Sequence, residues 1–458
     1  MKQLKNFVIF FLIVVPGFAQ EYETGNLSRV FTDPERNNRQ IPAEIFYPSE
    51  VAGTNTEPAA GRFPLIVFGH GFAMNYNSYS FLWEALVPYG YILAFPKTES
   101  SIIPFPSHED LALDMAFLNK TLKAETYDSS ALLYGRILPN SALMGHSMGG
   151  GAAMLAASGN EDISAVVGFA SAETNPSAVA AAENVDVSVL IFSGGNDCVT
   201  PPEQHQIPMY DNLPQGQKIL VEISGGGHCY FADYNFFCAI GENSCSPSPA
   251  ISREEQQQAV LSLLLPFLNF RLLGSYQAWD VLSSALQNSP GMEVTNGWEV
   301  IPEERLMVLD TGWNALAFDP PPINPDFITI FGEAFFSFSF FQSGETIFTE
   351  ELPDNFLVDS GQACLIKIAS AGTISYAGFP GENRSFVLEP GWNMMPVLSN
   401  NEIAADQLFG AANLPVYLRE IFALGVLWPE AGIYKPDTLQ PRKVYWVLSD
   451  EEREIVFP

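Results

Sequence analysis

The stretch Ser141-Ala-Leu-Met-Gly-His-Ser-Met-Gly-Gly-Gly-Ala-Ala-Met-Leu-Ala-Ala157 decides the fold. Ser141 to Met144 is a short apolar strand. Gly150 to Ala157 is a helix of small residues. Between them Gly145-His-Ser-Met-Gly149 fits the pattern G-x-S-x-G. A strand that turns directly into a helix leaves no room for bulk beside the turn. Small flanking residues therefore push Ser147 up at the helix N-terminus, where its hydroxyl is accessible.

Working outward, residues 63 to 274 alternate strand and helix signals. Pro64 to Phe68 and Tyr91 to Phe95 are fully apolar runs, as in parallel strands buried on both faces. Ser164 to Phe169, Val187 to Phe192 and Ile219 to Ile223 read as three further strands. Ser107-His-Glu-Asp110 resembles a capping box, and Leu111 to Leu122 is the periodic helix behind it. Arg253 to Leu272 is a closing helix. This alternation predicts an α/β class with a mostly parallel sheet and helices on both faces. Ser275 to Trp298 reads as one short helix and a linker.

A serine hydroxyl is a weak nucleophile near neutral pH and needs a base, which in turn needs an orienting acid. On a strand-turn-helix elbow of this kind the chain order is serine, acid, histidine. The chain has five histidines. His70 and His108 precede the serine, and His146 lies inside the elbow. His205 follows the best acid by eight residues. His228, in Gly225-Gly-Gly-His-Cys229, follows a strand and is the candidate base, with flexible glycines to bring it over the serine. Asp197, directly after the strand Val187 to Phe192, falls at the carboxyl edge of the sheet and is the candidate acid. Glu173, Glu203 and Asp211 are its rivals. The oxyanion needs two backbone N–H donors. Met148 follows the nucleophile, and Phe72 ends Gly69-His-Gly-Phe72, the loop after the first central strand. Phe72, Tyr76 and Phe231, with Tyr79, Phe236 and Phe237, are candidates for an apolar substrate pocket.

Cys198 adjoins the acid and Cys229 the base. Neighbouring acid and base loops predict a Cys198–Cys229 bridge, with Cys238–Cys245 closing a small loop and Cys364 a buried free thiol. No C-x-x-C pair exists, which disfavours zinc. No cofactor or metal is expected.

Of 458 residues, 47% are hydrophobic and 16% charged, enough for a large core and too apolar for disorder. The formal net charge of −31 excludes phosphate-backbone binding and disfavours anionic membranes. Lys2 and Lys5, the apolar run Phe7 to Val15 and Gly17-Phe-Ala19 form a signal peptide over residues 1–19, too short to span a bilayer. The expected location is secreted or extracellular, with no membrane span. Beyond residue 300 the texture becomes β-rich. Leu309-Asp-Thr-Gly-Trp-Asn314 recurs 79 residues later as Leu388-Glu-Pro-Gly-Trp-Asn393. Ala363-Cys-Leu-Ile366 is echoed by Val444-Tyr-Trp-Val447, and Phe379-Pro380 by Phe457-Pro458. The domains expected are thus 20–300, and two copies of one module at 301–382 and 383–458.

Gly69-His-Gly-Phe72, Gly145-His-Ser-Met-Gly-Gly-Gly151, Asp197 with Thr200-Pro-Pro202, Pro208-Met-Tyr-Asp211 and Gly225-Gly-Gly-His228 resemble the α/β-hydrolase family. The similarity is to secreted cutinase-like and polyester (PET) hydrolases and to dienelactone-hydrolase-type esterases, and covers roughly residues 60–275. The resemblance implies Ser147 as nucleophile, Asp197 as acid, His228 as base, Phe72 and Met148 as the oxyanion hole, and a small or polymeric ester as substrate. A peptidase or thioesterase on the same three residues and a non-catalytic binding protein are the alternatives. Efficient polyester hydrolases carry a tryptophan on the loop after the strand following the elbow. Here that loop, Phe169-Ala-Ser-Ala-Glu-Thr-Asn-Pro176, has none. The C-terminal repeats resemble Gly-Trp-Asn β-modules appended to secreted bacterial proteins. The oligomeric state is left open.

Overall fold

The computed structural model describes residues 22–331 and, beyond them, 335–342, 345–349, 363–368, 370–380, 384–399, 401–410, 417–420 and 436–458. The expected signal peptide lies outside the described residues.

Ten strands form one sheet: β1 (Glu23–Asp33), β2 (Arg39–Ser49), β3 (Gly53–Thr54), β4 (Phe63–Gly69), β5 (Ile92–Pro96), β6 (Ile137–His146), β7 (Ala165–Phe169), β8 (Ser188–Gly194), β9 (Lys218–Ile223) and β10 (Met292–Asn296). Their order is β10-β9-β8-β7-β6-β4-β5-β2-β1-β3. Strands β4 to β9 run parallel, while β2 is antiparallel to β5 and β10 to β9. Eight helices accompany them: α1 (Ser80–Leu86), α2 (His108–Glu125), α3 (Met148–Ala157), α4 (Ala178–Ala182), α5 (Gln206–Asn212), α6 (Phe236–Glu242), α7 (Arg253–Leu273) and α8 (Tyr276–Gln287).

Alternation along each strand sends side chains to opposite faces. Ile66, Phe68, Met144, Val167 and Phe192 meet α1, α7 and α8 in one core. Leu65, Val67, Leu143, Val166 and Ile191 meet α2, α3, α4 and α5 in the other. A sheet covered on both sides explains why its strands are continuously apolar. At α2, the Ser107 hydroxyl accepts the Asp110 N–H. The full reciprocal box lies at α7, where Ser252 and Glu255 each satisfy the other's backbone N–H, and Gly274 ends that helix at φ +70°.

The edges differ from the sequence reading. The hairpin β1–β2 and the strand β10 were not foreseen, and β10 converts part of the expected linker into sheet. Edge strands have one exposed side, so their apolar signal is weak; β10 has no fully buried residue.

The C-terminal region is β-rich, in small antiparallel sheets. Gly312–Ala317 pairs with Ala363–Ile368, and Gly391–Pro396 with Val444–Ser449. Each Gly-Trp-Asn turn is built alike. The Asn314 carboxamide accepts the Asp310 N–H and donates to the carbonyls of Asp310 and Gly312. Asn393 does the same with Glu389 and Gly391. The first of these β segments sits against the amino end of the parallel strands. Arg62, before β4, pairs with Asp326. Asn140, early in β6, donates to the Ile323 carbonyl at 3.0 Å. Phe379 packs on Phe270 and Trp298. Ser147 is at the opposite end of β6.

Phe267 of α7 is fully buried in the first core. Phe267→Ala is expected to lower the unfolding free energy by about 3–5 kcal/mol, measured as a shift in the urea midpoint. A loss below ~1 kcal/mol would mean that α7 is not packed as described.

Candidate active site

The elbow is built by close backbone approach. Ser147 takes φ +54° and ψ −119°, a region that side chains rarely adopt and that persists only where the surroundings hold it. A Cβ on Gly149 would come 2.0 Å from the Gly69 carbonyl oxygen, and one on Gly145 would come 2.1 Å from the Gly149 carbonyl oxygen. These glycines let β4, β6 and α3 converge under the bend. The loop after β7 grips it from the side: the Ser147 N–H donates to Phe169 O (2.9 Å), and the Ala172 N–H to Ser147 O (2.8 Å).

Ser147, His228 and Asp197 come together across three loops at the carboxyl edge of the sheet. His228 Nε2 is 3.0 Å from Ser147 Oγ, and His228 Nδ1 is 2.8 Å from Asp197 Oδ2. All three are nearly buried, at 9%, 3% and 5% exposure. The carboxylate is fully engaged, since Oδ1 accepts the N–H groups of Val199 and Thr200, each at 2.8 Å. The Thr200 hydroxyl is 2.8 Å from Oδ2 and 3.0 Å from His228 Nδ1. The carboxylate thus faces two backbone N–H groups, the Thr200 hydroxyl and the His228 ring. Glu173, a rival acid, instead accepts the Val179 N–H at α4.

The base loop is fixed rather than loose. The Gln256 carboxamide accepts the Gly227 N–H and donates to the Gly227 carbonyl, both at 2.8 Å. Glu242 accepts the Cys229 N–H at 2.9 Å, and Arg253 donates to the carbonyls of Cys229 and Ala232. The glycines before His228 serve packing: a Cβ on Gly227 would meet the Glu242 carboxylate at 2.4 Å. Gln256, Glu242 and Arg253 act on the base loop from α6 and α7 through tertiary contact, and no catalytic motif in the sequence singled them out.

The disulfides differ from expectation. Cys198 pairs with Cys245 and Cys229 with Cys238, not Cys198 with Cys229 and Cys238 with Cys245. Asp197 and His228 turn their side chains toward each other, so the cysteine that follows each turns toward the segment holding α6. That segment is thereby stapled to both the acid and the base loop. Cys364 is a buried free thiol, and burial pushes it up to about 12.

Met148 is the first residue of α3, where the first-turn N–H groups have no acceptor within the helix. Phe72 is 40% exposed and its ring lies against Phe105, itself 72% exposed. Phe236 and Phe237 are exposed on α6. Three pocket candidates fall elsewhere. Phe231 is fully buried under His146 and Phe169, supporting the site from below instead of lining it. Tyr76 leans on Phe46 and Trp83. Tyr79 is fully buried. The loop without tryptophan is held by two imidazoles, with the Glu173 N–H donating to His205 and the Asn175 N–H to His108. Among the described residues no group of three or more His, Cys, Asp or Glu side chains is arranged to hold a metal ion, and no helix is long and apolar enough to cross a membrane.

Residues 42–245 match a family model described as PETase, PET hydrolase-like. This PET hydrolase-like segment contains Ser147, Asp197, His228 and all four bridged cysteines. The chain is 26% identical over 186 residues to cutinase est1 of Thermobifida alba, covering 40% of this chain and 56% of the relative. It is 27% identical over the same length to cutinase 2 of Thermobifida cellulosilytica (40% and 64%) and to cutinase cut1 of Thermobifida fusca (40% and 52%). The chain thus spans between 52% and 64% of the length of these three relatives.

Non-reducing peptide mapping is expected to recover Cys198–Cys245 and Cys229–Cys238. A Cys198–Cys229 peptide would contradict the arrangement. His146 is fully buried, and burial, followed by the neighbouring His228, holds its imidazole well below the usual histidine range. The folded state then stays neutral where the unfolded chain takes up a proton. Stability from this group is complete above pH ~6.5 and is lost as pH falls below it, by at most about 1.4 kcal/mol per pH unit. Urea midpoints from pH 7.5 to 5.5 should fall less steeply in His146→Gln than in the parent; equal slopes would refute it.

Proposed function

We propose that this chain is an exported serine hydrolase that cleaves carboxylic esters through an acyl-enzyme. The observation that carries the reading is the Ser147–His228–Asp197 alignment, at 3.0 and 2.8 Å. Ser147 attacks the ester carbonyl while His228 Nε2 takes its proton. Asp197 holds the ring and stabilises the imidazolium. The N–H groups of Met148 and Phe72 receive the charge on the carbonyl oxygen. His228 then protonates the departing alcohol. Water, activated by the same imidazole, releases the acid.

Ester chemistry, rather than amide or thioester chemistry, is supported by the PET hydrolase-like segment and by relatives named as cutinases. The exposed rings of Phe72, Phe105, Phe236 and Phe237 suit an apolar acyl or aryl group; a small-molecule or polymeric ester is the substrate class. Export is supported by the positive and apolar N-terminal residues and by two disulfides, which persist in oxidising compartments. In this reading residues 1–19 are the signal peptide, 20–300 the catalytic domain, and 301–382 and 383–458 two copies of one β-module. The matching Asn314 and Asn393 turns support the duplication.

Ser147→Ala is expected to reduce p-nitrophenyl ester turnover about a millionfold, and Asp197→Asn about ten-thousandfold, with melting temperatures near the parent's. Parent-like rates in Ser147→Ala would refute the mechanism. Faster turnover of matched amides than of esters would move the assignment to a peptidase.

A further inference from the structure

Two buried side chains beside the site have no part in the chemistry above. The His146 ring is fully buried, as is that of Tyr79. His146 Nε2 lies 3.1 Å from the backbone carbonyl of His228. Its Nδ1 lies 3.1 Å from the Tyr79 hydroxyl. That hydroxyl is 2.8 Å from the backbone N–H of Gly71.

Donor and acceptor counting orders the chain for a neutral ring, the form that burial favours. The His228 carbonyl can only accept, so His146 carries its proton on Nε2. Nδ1 is then an acceptor, and the Tyr79 O–H donates to it. A lone pair remains on the phenol for the Gly71 N–H. The weaker alternative for the Tyr79 proton is Met74 Sδ, at 3.5 Å. The resulting chain runs from the Gly71 N–H to Tyr79, to His146, to the His228 carbonyl.

Each end of this chain is one residue from, or part of, the reacting machinery. Gly71 precedes Phe72, His146 precedes Ser147, and the last acceptor is the backbone of the base itself. Gln256 and Glu242 tie the base loop to α7 and α6; His146 ties it to the elbow. We propose that Tyr79 and His146 form a positioning relay that sets the His228 imidazole and the Phe72 loop against Ser147. The relay rests on the reading of Ser147, His228 and Asp197 as a triad. The His146 ring also packs on the His228 ring, centroids 4.8 Å apart, but neither His146 nor Tyr79 bonds Ser147 Oγ or His228 Nε2. Both act by holding three loops in register, where a displacement of about 1 Å can cost roughly a hundredfold in rate. Both side chains are fully buried, where an unpaired polar group is costly.

The test uses the full chain and a soluble aryl ester. Tyr79→Phe keeps the ring and removes two of the three hydrogen bonds. It is expected to lower kcat by about 10–100-fold while KM stays within about twofold. His146→Leu should do the same. His146→Gln, whose carboxamide both donates and accepts, should recover kcat to within about fivefold of the parent. Tyr79→Phe combined with His146→Leu should be no slower than His146→Leu alone, because both break one chain. Parent-like kcat in Tyr79→Phe, or losses that multiply in the double variant, would overturn the relay. A second arm is independent of turnover and of the variants' folding. Imidazole 15N NMR of the Ser147→Ala protein should find His146 protonated at Nε2 and unprotonated at Nδ1 at neutral pH. A proton on Nδ1 would overturn the proposal. If Ser147→Ala retains parent activity the triad reading fails instead, and the NMR arm still decides the tautomer.

Discussion

The close approach of three backbones beneath Ser147 is the constraint on which the site depends. With Gly149 against the Gly69 carbonyl, only hydrogen fits where a Cβ would stand. That contact brings the ends of β4 and β6 and the start of α3 to one point. The serine is forced to φ +54°, and its hydroxyl projects beyond the carboxyl edge of the sheet, where the loops after β8 and β9 also emerge. The strain is affordable because two cores, one on each face of the sheet, hold the three elements.

Around that point the Asp197 carboxylate and the His228 loop are each held by several polar partners. Asp197 receives two backbone N–H groups, the Thr200 hydroxyl and the His228 ring. The base loop is held by α7 through Gln256, by α6 through Glu242 and by a disulfide. In the proposed mechanism a base that shuttles a proton between two fixed partners gains from such rigidity, because reorganisation during the reaction is what preorganised sites avoid. The C-terminal β segment contacts the other end of the sheet, through Arg62, Asn140 and Phe270.

Much of the fold was legible because the central strands are buried on both faces. Pro64 to Phe68 and Val187 to Phe192 carry no polar side that blurs their period. The elbow and its candidate partners were legible because a serine on this strand-turn-helix fold is followed in the chain by acid and then histidine, and few histidines compete. Strands β1 and β10, near the sheet's edges, were missed because a half-exposed strand has a mixed pattern, and β2, buried between β5 and β1, was missed with its hairpin partner. The disulfide pairing was misread because neighbouring loops do not imply facing side chains; Cys198 and Cys229 both turn away from the acid–base contact. Phe231 was taken for a pocket residue, but an aromatic three residues after the base is as well placed for the core. Gln256 and Glu242 act through tertiary contact alone, and no local pattern marks such residues.

The account stands on a serine made nucleophilic by one imidazole, and a fluorophosphonate probe reads that property directly. The full-length protein should gain one adduct, located by peptide mass mapping at Ser147, and His228→Ala should label at least about a thousandfold more slowly. An adduct on another serine, no adduct at all, or labelling that is indifferent to His228 would contradict it.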